Sequence, residues 1–379
     1  MLIKIKFFLN KFFKFLYLRK FFEKKKTTFL VLHNNGSNYL SRIFKKKNIE
    51  IVDYTNEVNL YVLFFILFKK KTLFNYLFYY IKIYDPKYII SCIDNNESLY
   101  LLKKFYKNKK FIFIQTGHRR KAHFSFKYKK KFLSADLNMV FGRNLHNFYK
   151  QKINTNVVSI GSFKNNFYDY RKNNNSNNIY YISQFRKNLD KDIVYKVKGR
   201  FLNYSQLINS EIRLLKILNK FCTENKKKLY ILASHNKEPA EYLFFQTYLK
   251  KNFSLLNRSE KSISYNKLHS AGIIITMDST LGYEAIAQGK KVIFFSRFDN
   301  VEFYFKWPNI KKKKDFFYSN KISYNEFIKI YKNVNNLSDK NWKNKIQNKI
   351  RDIIIYDKKN KIFRKTFLNL GCHDNYFKN

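Results

Sequence analysis

The sequence predicts an α/β protein of two Rossmann-like, doubly wound domains facing a cleft, and three observations carry that expectation. Short apolar runs alternate with longer stretches of helical period along most of the 379 residues, the pattern of parallel strands buried under helices. A polar, asparagine-rich interruption divides the alternation into two series. The composition, 45% apolar and 19% aromatic, supplies enough buried surface for two cores of ordinary size.

In the first series, strands are expected at 29–32, 49–52, 88–93 and 111–115, with further runs at 137–141 and 157–160. Helices at 37–46, 60–84 and 97–106 separate them. Pro86 supports a boundary before the third strand, because the residue preceding a proline is pushed out of helical geometry. Residues 170–180 read YRKNNNSNNIY, with almost nothing to bury, so the linker is placed at 171–178. It joins an N-terminal domain of 26–170 to a C-terminal domain of 179–340. The second series has strands at 179–183, 229–233, 273–276 and 292–295, and helices at 210–225, 238–249 and 280–288. Residues 341–379 are expected to form a helical tail.

The formal charge of +50 points first to nucleic acid, since clustered lysine and arginine displace counterions from phosphates. Here the excess is spread along the chain, and 63 of the 76 basic residues are lysine. Together with abundant Asn, Ile, Phe and Tyr, this reads as A/T-rich codon usage, and no specific nucleic acid is expected. What remains is a field that attracts anions. Cys92, Cys222 and Cys372 are too far apart to suggest a disulfide framework or a metal knuckle, which favours a reducing, cytoplasmic compartment. The longest apolar run, 60–68, is far short of the roughly 20 residues a bilayer requires, so no transmembrane helix is expected. The first 25 residues form a basic segment in which Leu2, Ile5, Leu9, Phe12 and Leu16 recur at helical spacing opposite Lys4, Lys11 and Lys14. Such a helix suits the surface of the inner membrane, or equally a packed face of the first domain.

The most informative stretch is 272–296, GIIITMDSTLGYEAIAQGKKVIFFS. A buried strand delivers Asp278, Ser279 and Thr280 to the start of a short helix, whose free amides and positive dipole end suit phosphate oxygens. Ser279 or Thr280 is expected to cap this helix as well. Gly282 permits close approach of a ligand or of backbone, and Gly289 is placed to close the helix in the left-handed C′ position. A capping-box glutamate lies three residues after its cap. Glu284 lies six, five and four residues after Asp278, Ser279 and Thr280. It is therefore free for another task, and pointing toward the cleft it would accept from a ribose diol.

A second cluster follows two neighbouring strands of the first half. Asp94, Asn95 and Asn96 end one, and Gln115, Gly117, His118 and Arg119 end the next. Strand ends of a parallel sheet share one opening, so a carboxylate (Asp94) or a histidine (His118) there could act as catalytic base toward an acceptor hydroxyl. The alternative is helix capping by Asn95 or Asn96. Arg186, His235 and Arg297 each follow a strand of the second half, where a cation would neutralise a departing diphosphate. No metal motif, Walker loop, nucleophile elbow or dinucleotide fingerprint is present, and no cofactor is expected.

Taken in order, PKYIISCIDNNESLYLLKKF, FIFIQTGHR, GSFKNNF, YYISQFR and DSTLGYEAIAQGKKVIFFSRF resemble the bacterial surface carbohydrate (polysaccharide) biosynthesis family of GT-B-like proteins, over about 29–298. The last motif is similar in kind to the donor-binding segment of polyglycerol-phosphate, sialic-acid and Kdo transferases. Asn-Gly would be expected after Gln115, whereas Thr116 stands there, and His118 is likewise atypical. The resemblance implies a metal-independent glycosyltransferase with its nucleotide-sugar site around Ser279, Thr280 and Glu284. It implies a glycan or lipid-linked acceptor near Asp94, Asn95, Gln115, Gly117 and Arg119. Two other readings share the sequence: a nucleotide-sugar epimerase of the same architecture, and a non-catalytic polybasic protein that binds membranes or nucleic acid.

Overall fold

The structure, a computed structural model, describes residues 27–53, 59–66, 72–119, 121–124, 126–169, 178–185, 195–197, 200–202, 204–234, 239–249, 253–256, 263–296 and 314–378. The basic segment 1–25 and all but one residue of the predicted linker lie outside them. The chain forms two compact units: unit 1 is 1–141, 145–164 and 360–379, and unit 2 is 142–144 and 165–359.

In chain order, unit 1 contains β1 (Phe29–Leu32), α1 (Ser37–Ile43), β2 (Ile49–Val52), α2 (Leu60–Phe65), α3 (Leu73–Tyr84) and β3 (Tyr88–Ser91). There follow α4 (Glu97–Leu102), β4 (Lys110–Ile114), β5 (Ser134–Val140), α5 (His146–Lys152) and β6 (Asn154–Ser159). The six strands make one parallel sheet in the order β2-β1-β3-β4-β5-β6. FLVL in β1 and YIIS in β3 are buried at every position, as expected for strands covered on both faces. The single helix expected over 60–84 is two. Thr72 starts α3 by accepting from the Asn75 amide at 3.2 Å, a local cap that ends any continuous helix there. Asp85 then stops α3 in the left-handed region (φ 44°), and Pro86 follows.

Unit 2 contains β7 (Ile179–Ile182), the hairpin β8 (Tyr195–Val197) and β9 (Arg200–Leu202), α6 (Tyr204–Glu224), β10 (Leu229–Leu232), α7 (Pro239–Leu249) and β11 (Ser254–Leu256). It continues with α8 (Ile263–Lys267), β12 (Ile273–Thr276), α9 (Thr280–Ala287), β13 (Lys291–Phe295), β14 (Lys314–Asp315), β15 (Tyr318–Ser319), α10 (Tyr324–Asn335) and α11 (Asp339–Ile350). Its sheet runs β11-β10-β7-β12-β13-β15-β14, parallel except for the last pair. Numbered among themselves in chain order, the first six strands of that row follow 3-2-1-4-5-6, with the order reversing between β7 and β12.

The expected tail 341–379 is divided between the two units. Trp342 on α11 donates its indole N–H to the Lys290 carbonyl at 3.0 Å inside unit 2. In contrast α12 (Lys361–Asn369) belongs to unit 1, where Phe367 meets Phe44 at 5.2 Å and Phe29 at 6.2 Å. Phe377 pairs with Phe44 in a single antiparallel bridge and closes that aromatic core. Among the described residues no helix is long and apolar enough to cross a membrane.

Candidate functional site

The reversal of strand order in unit 2 locates the site. Adjacent strands leave such a sheet in opposite directions at that point, so their loops diverge and open a crevice beyond the carboxyl ends. Ile275 of β12 pairs with Tyr181 of β7, so Ser183 and Gln184 leave the sheet at the level where Met277, Asp278 and Ser279 leave it. The DST segment thus sits at the switch point.

Three features shape it. IIIT of β12 is fully buried and fixes where the chain emerges. Gly282 lets α9 lie close on the sheet: a methyl group there would stand 2.5 Å from Thr276 Cγ2 and 3.2 Å from Phe294 Cε1. The close approach is to the protein's own strands, not to a ligand. Gly289 takes φ +86° at C′, donating to the Ile286 carbonyl at 2.9 Å while Lys290 donates to Ala285 at 3.2 Å, a complete Schellman stop.

At the front of the helix the expectation of a capping serine fails. Ser279 occupies the N-cap position (φ −64°, ψ 135°), yet its side chain makes no cap hydrogen bond. The turn is held by Thr276 instead, whose hydroxyl accepts from the Ser279 amide at 3.4 Å. The Ser279 hydroxyl therefore stays uncommitted at the start of α9, while its carbonyl accepts from the Gly282 amide at 2.9 Å. Ser279 and Thr280 are both half-buried.

Glu284 is only 3% exposed, and its Oε2 accepts from the Tyr265 hydroxyl at 3.1 Å. The expectation that it stands out from the first turns is corrected: the side chain lies inside, held at a fixed orientation. Tyr265 in turn stacks on Tyr168 at 4.4 Å, and Gln288 donates to the Tyr168 carbonyl at 3.0 Å and to Asn165 Oδ1 at 2.9 Å. Asn165 closes the set by donating to the Glu284 carbonyl at 3.1 Å.

Two buried glutamates that sequence reasoning missed hold the neighbouring loops. Glu241 of α7 accepts from the Ser183 hydroxyl at 2.5 Å and the Ser234 amide at 2.8 Å. Glu211 of α6 accepts from the Tyr181 hydroxyl at 2.8 Å and the Gln184 amide at 3.1 Å. Each glutamate ties a loop beyond β7 or β10 to a helix, which makes the crevice walls rigid. An acidic residue in a helix's first turn, like Glu241, is a weak signal of this kind. Arg186, His235 and Arg297 lie outside the described residues.

In unit 1, β3 and β4 are neighbours, and their ends do bring Asp94 and Arg119 together. Arg119 Nε lies 3.1 and 3.0 Å from the two Asp94 oxygens, Nη2 donates to Oδ1, and the Tyr149 hydroxyl donates to Oδ2. Asp94 is 1% exposed. Burial and the Asp94 charge raise the Tyr149 phenol well above its usual range, so it remains a neutral donor. Burial disfavours the Arg119 cation, but the Asp94 carboxylate outweighs burial and keeps it protonated. A base needs a lone pair facing its substrate, and this carboxylate is already surrounded by donors. The expectation for Asp94 is revised accordingly: it anchors Arg119 rather than facing an acceptor.

Gln115 is likewise consumed, donating to the Gly117 carbonyl at 2.9 Å and accepting from the Phe141 amide at 2.8 Å. It shapes the loop and presents nothing to a ligand. Asn96 caps α4 by accepting from the Ser98 amide at 3.1 Å, while Asn95, Gly117 and His118 are half-buried. Among the described residues no group of three His, Cys, Asp or Glu side chains is placed to hold a metal ion. The three cysteines are buried and free.

Residues 112–370 match the model of a family described as "putative O-antigen biosynthesis protein". No curated protein matches the chain. Among solved structures, one described as a "putative UDP-N-acetylglucosamine 2-epimerase" from Listeria monocytogenes superposes with a TM-score of 0.54 at 10% identity, covering 93% of this chain and 98% of its own. The S. aureus MnaA–UDP co-structure gives 0.51 at 13% identity, covering 91% and 97%. A glycosyltransferase from Rickettsia africae gives 0.49 at 11% identity, covering 92% and 100%. At these identities the likeness is one of fold, and the fold is that of GT-B proteins.

Proposed function

The chain belongs to this family of O-antigen biosynthesis proteins, and from that premise we propose that it is a glycosyltransferase taking a sugar from a nucleotide donor bound by unit 2. The observation that carries the reading is the switch point, where an uncommitted Ser279 hydroxyl, Thr280 and the positive dipole end of α9 converge. Diphosphate oxygens are the ligand that set of donors suits. When the acceptor oxygen attacks the anomeric carbon, the bond to the diphosphate breaks and negative charge grows there, so these donors bind the transition state more tightly than the donor itself. Glu284, fixed by Tyr265 before any ligand arrives, is the acceptor for ribose hydroxyls. Arg186, His235 and Arg297 are proposed as further cations for the departing diphosphate.

On the acceptor side, unit 1 supplies the loop that Gln115 and Asp94 hold in shape. Asp94 acts there as a positioning residue for Arg119, with His118 as the candidate base and Asn95 and Gly117 beside it. The acceptor is proposed to be a glycan or a lipid-linked glycan, and membership of an O-antigen biosynthesis family supports a product destined for a surface polysaccharide.

Calorimetric titration with UDP, UDP-N-acetylglucosamine and other nucleotide sugars tests the donor site. Ser279→Ala removes a donor to a charged oxygen, worth about 1.5–3 kcal/mol, so affinity should fall by about tenfold or more. Glu284→Gln should weaken nucleotide sugars, and nucleosides with an intact ribose, to a similar degree. Wild-type affinity in both variants removes the donor from this helix. The epimerase reading has weaker support, since the similar solved structures include one described as an epimerase and one bound to UDP but share only the fold with this chain. It predicts conversion of UDP-N-acetylglucosamine with no acceptor present, and sugar analysis of that incubation decides between the two.

A further inference from the structure

Unit 1 carries an exposed aromatic surface that sugar transfer does not use. Phe64 and Phe65 on α2 are 62% and 42% exposed, and Phe105, just beyond α4, is 59% exposed. An unbroken series of ring contacts joins them. Phe64 meets Phe65 at 6.1 Å, Phe65 stacks on Tyr79 at 6.3 Å, Tyr79 meets Phe78 at 5.4 Å, and Phe78 meets Phe105 at 5.7 Å. Lys104 extends the surface by placing Nζ 5.1 Å from the centre of the exposed Phe132 ring, where Lys131 Nζ also sits at 5.1 Å.

The rim is cationic. Exposed Lys104, Lys107, Lys130 and Lys131 lie within two residues of Phe105 or Phe132. The local carboxylates are engaged elsewhere: Asp85 pairs with Lys109, Asp136 pairs with Lys103 at 2.8 Å, and Glu97 accepts from the Lys127 amide at 2.6 Å. Those four rim lysines have no carboxylate partner among the described residues.

A continuous apolar surface of this kind marks an interaction site, and the charge around it selects the partner. A second copy docked face to face would set lysine against lysine. Single-stranded nucleic acid stacks its bases on separated aromatic platforms, whereas these rings are packed against one another. An anionic bilayer satisfies both parts, since exposed phenylalanines bury at the headgroup–acyl boundary and lysines favour lipid phosphates. We propose that this face of unit 1 seats the protein on an anionic membrane surface, independently of residues 1–22 and of the sugar-transfer reading.

The test is co-sedimentation of the full-length protein with phosphatidylcholine vesicles and with vesicles also containing phosphatidylglycerol. The wild-type chain should partition onto the anionic vesicles, and less so at high salt. Phe64→Ser, Phe65→Ser and Phe105→Ser combined should weaken that partition by about tenfold or more, with nucleotide binding unchanged. Lys104→Glu with Lys131→Glu, both exposed positions, provides a second variant should the triple one fold poorly, and it should lose anionic binding while leaving the melting temperature in place. Deleting residues 1–22 should leave the ring-dependent fraction of binding. Wild-type partition in both variants, loss of all binding on that deletion, or a ring-dependent affinity for oligonucleotide in place of vesicles would each overturn the proposal.

Discussion

Replacing Gly282 by alanine would put a methyl group 2.5 Å from Thr276 Cγ2 and 3.2 Å from Phe294 Cε1, both on buried strands beneath α9. Ordinary carbon contacts lie near 3.5–4.0 Å, so the helix must rise by about 1 Å or the strand must yield. Overpacking of this size costs about 1–3 kcal/mol, and alanine's better helix propensity returns up to about 1 kcal/mol. The expected net loss is about 1–2 kcal/mol, read as a lower urea midpoint. The lifted helix would also carry Ser279 and the helix N-terminus away from their positions, so nucleotide affinity should drop with stability. Thr276→Ser is the partner substitution: it removes the methyl that collides and keeps the hydroxyl that accepts from the Ser279 amide. In that background Gly282→Ala should cost at least 1 kcal/mol less, the coupling expected of two groups in contact. An equal penalty in both backgrounds, or none in either, would refute the account of why glycine stands at 282.

Three further outcomes are expected. Ser279→Ala should leave the stability of the empty protein within about 0.5 kcal/mol by denaturant titration, because no cap bond is lost; a fall near 1 kcal/mol would mean the serine caps after all. Asp94→Ala should destabilise by about 3–5 kcal/mol, since it strands the buried Arg119 cation, and a variant of normal stability would show the pair to be solvated. Lys290, buried and donating to the His269 carbonyl at 2.8 Å, has its pKa lowered by burial to about 8 from 10.5. Between those values the unfolded chain holds a proton the folded chain has shed, so stability rises with pH across about 8–10.5 and this lysine adds no slope below it. Relative to Lys290→Met, the wild-type unfolding free energy should gain on the order of 3 kcal/mol over that window, and parallel curves would remove the claim.

Most strands were legible because a strand buried on both faces must be written as a continuous apolar run, and FLVL, IIIT and KVIFF are such runs. The short strand Ser254–Leu256 and the break in the expected helix 60–84 were not, because the first is only half-buried and the second depends on one capping threonine. The DST segment was found for a related reason: a buried strand followed by small polar residues and a helix is a local pattern, and a helix start needs only local sequence. Whether Ser279 spends its hydroxyl on that helix was a matter of rotamer and of Thr276 below it, which sequence does not fix. Pairings across the chain were wholly out of reach. Glu241 with Ser183, Glu284 with Tyr265 and Asp94 with Tyr149 join residues 58, 19 and 55 positions apart. Carboxylates read from sequence look alike, since nothing local says which will be buried and which will face a ligand. That distinction is made by desolvation and by the donors that packing supplies, and both exist only once the sheet order is set. The sequence by itself determined two series of strands and where their polar ends lie. The tertiary structure decided which ends are neighbours, and so placed Ser279 at a switch point and turned Asp94 inward.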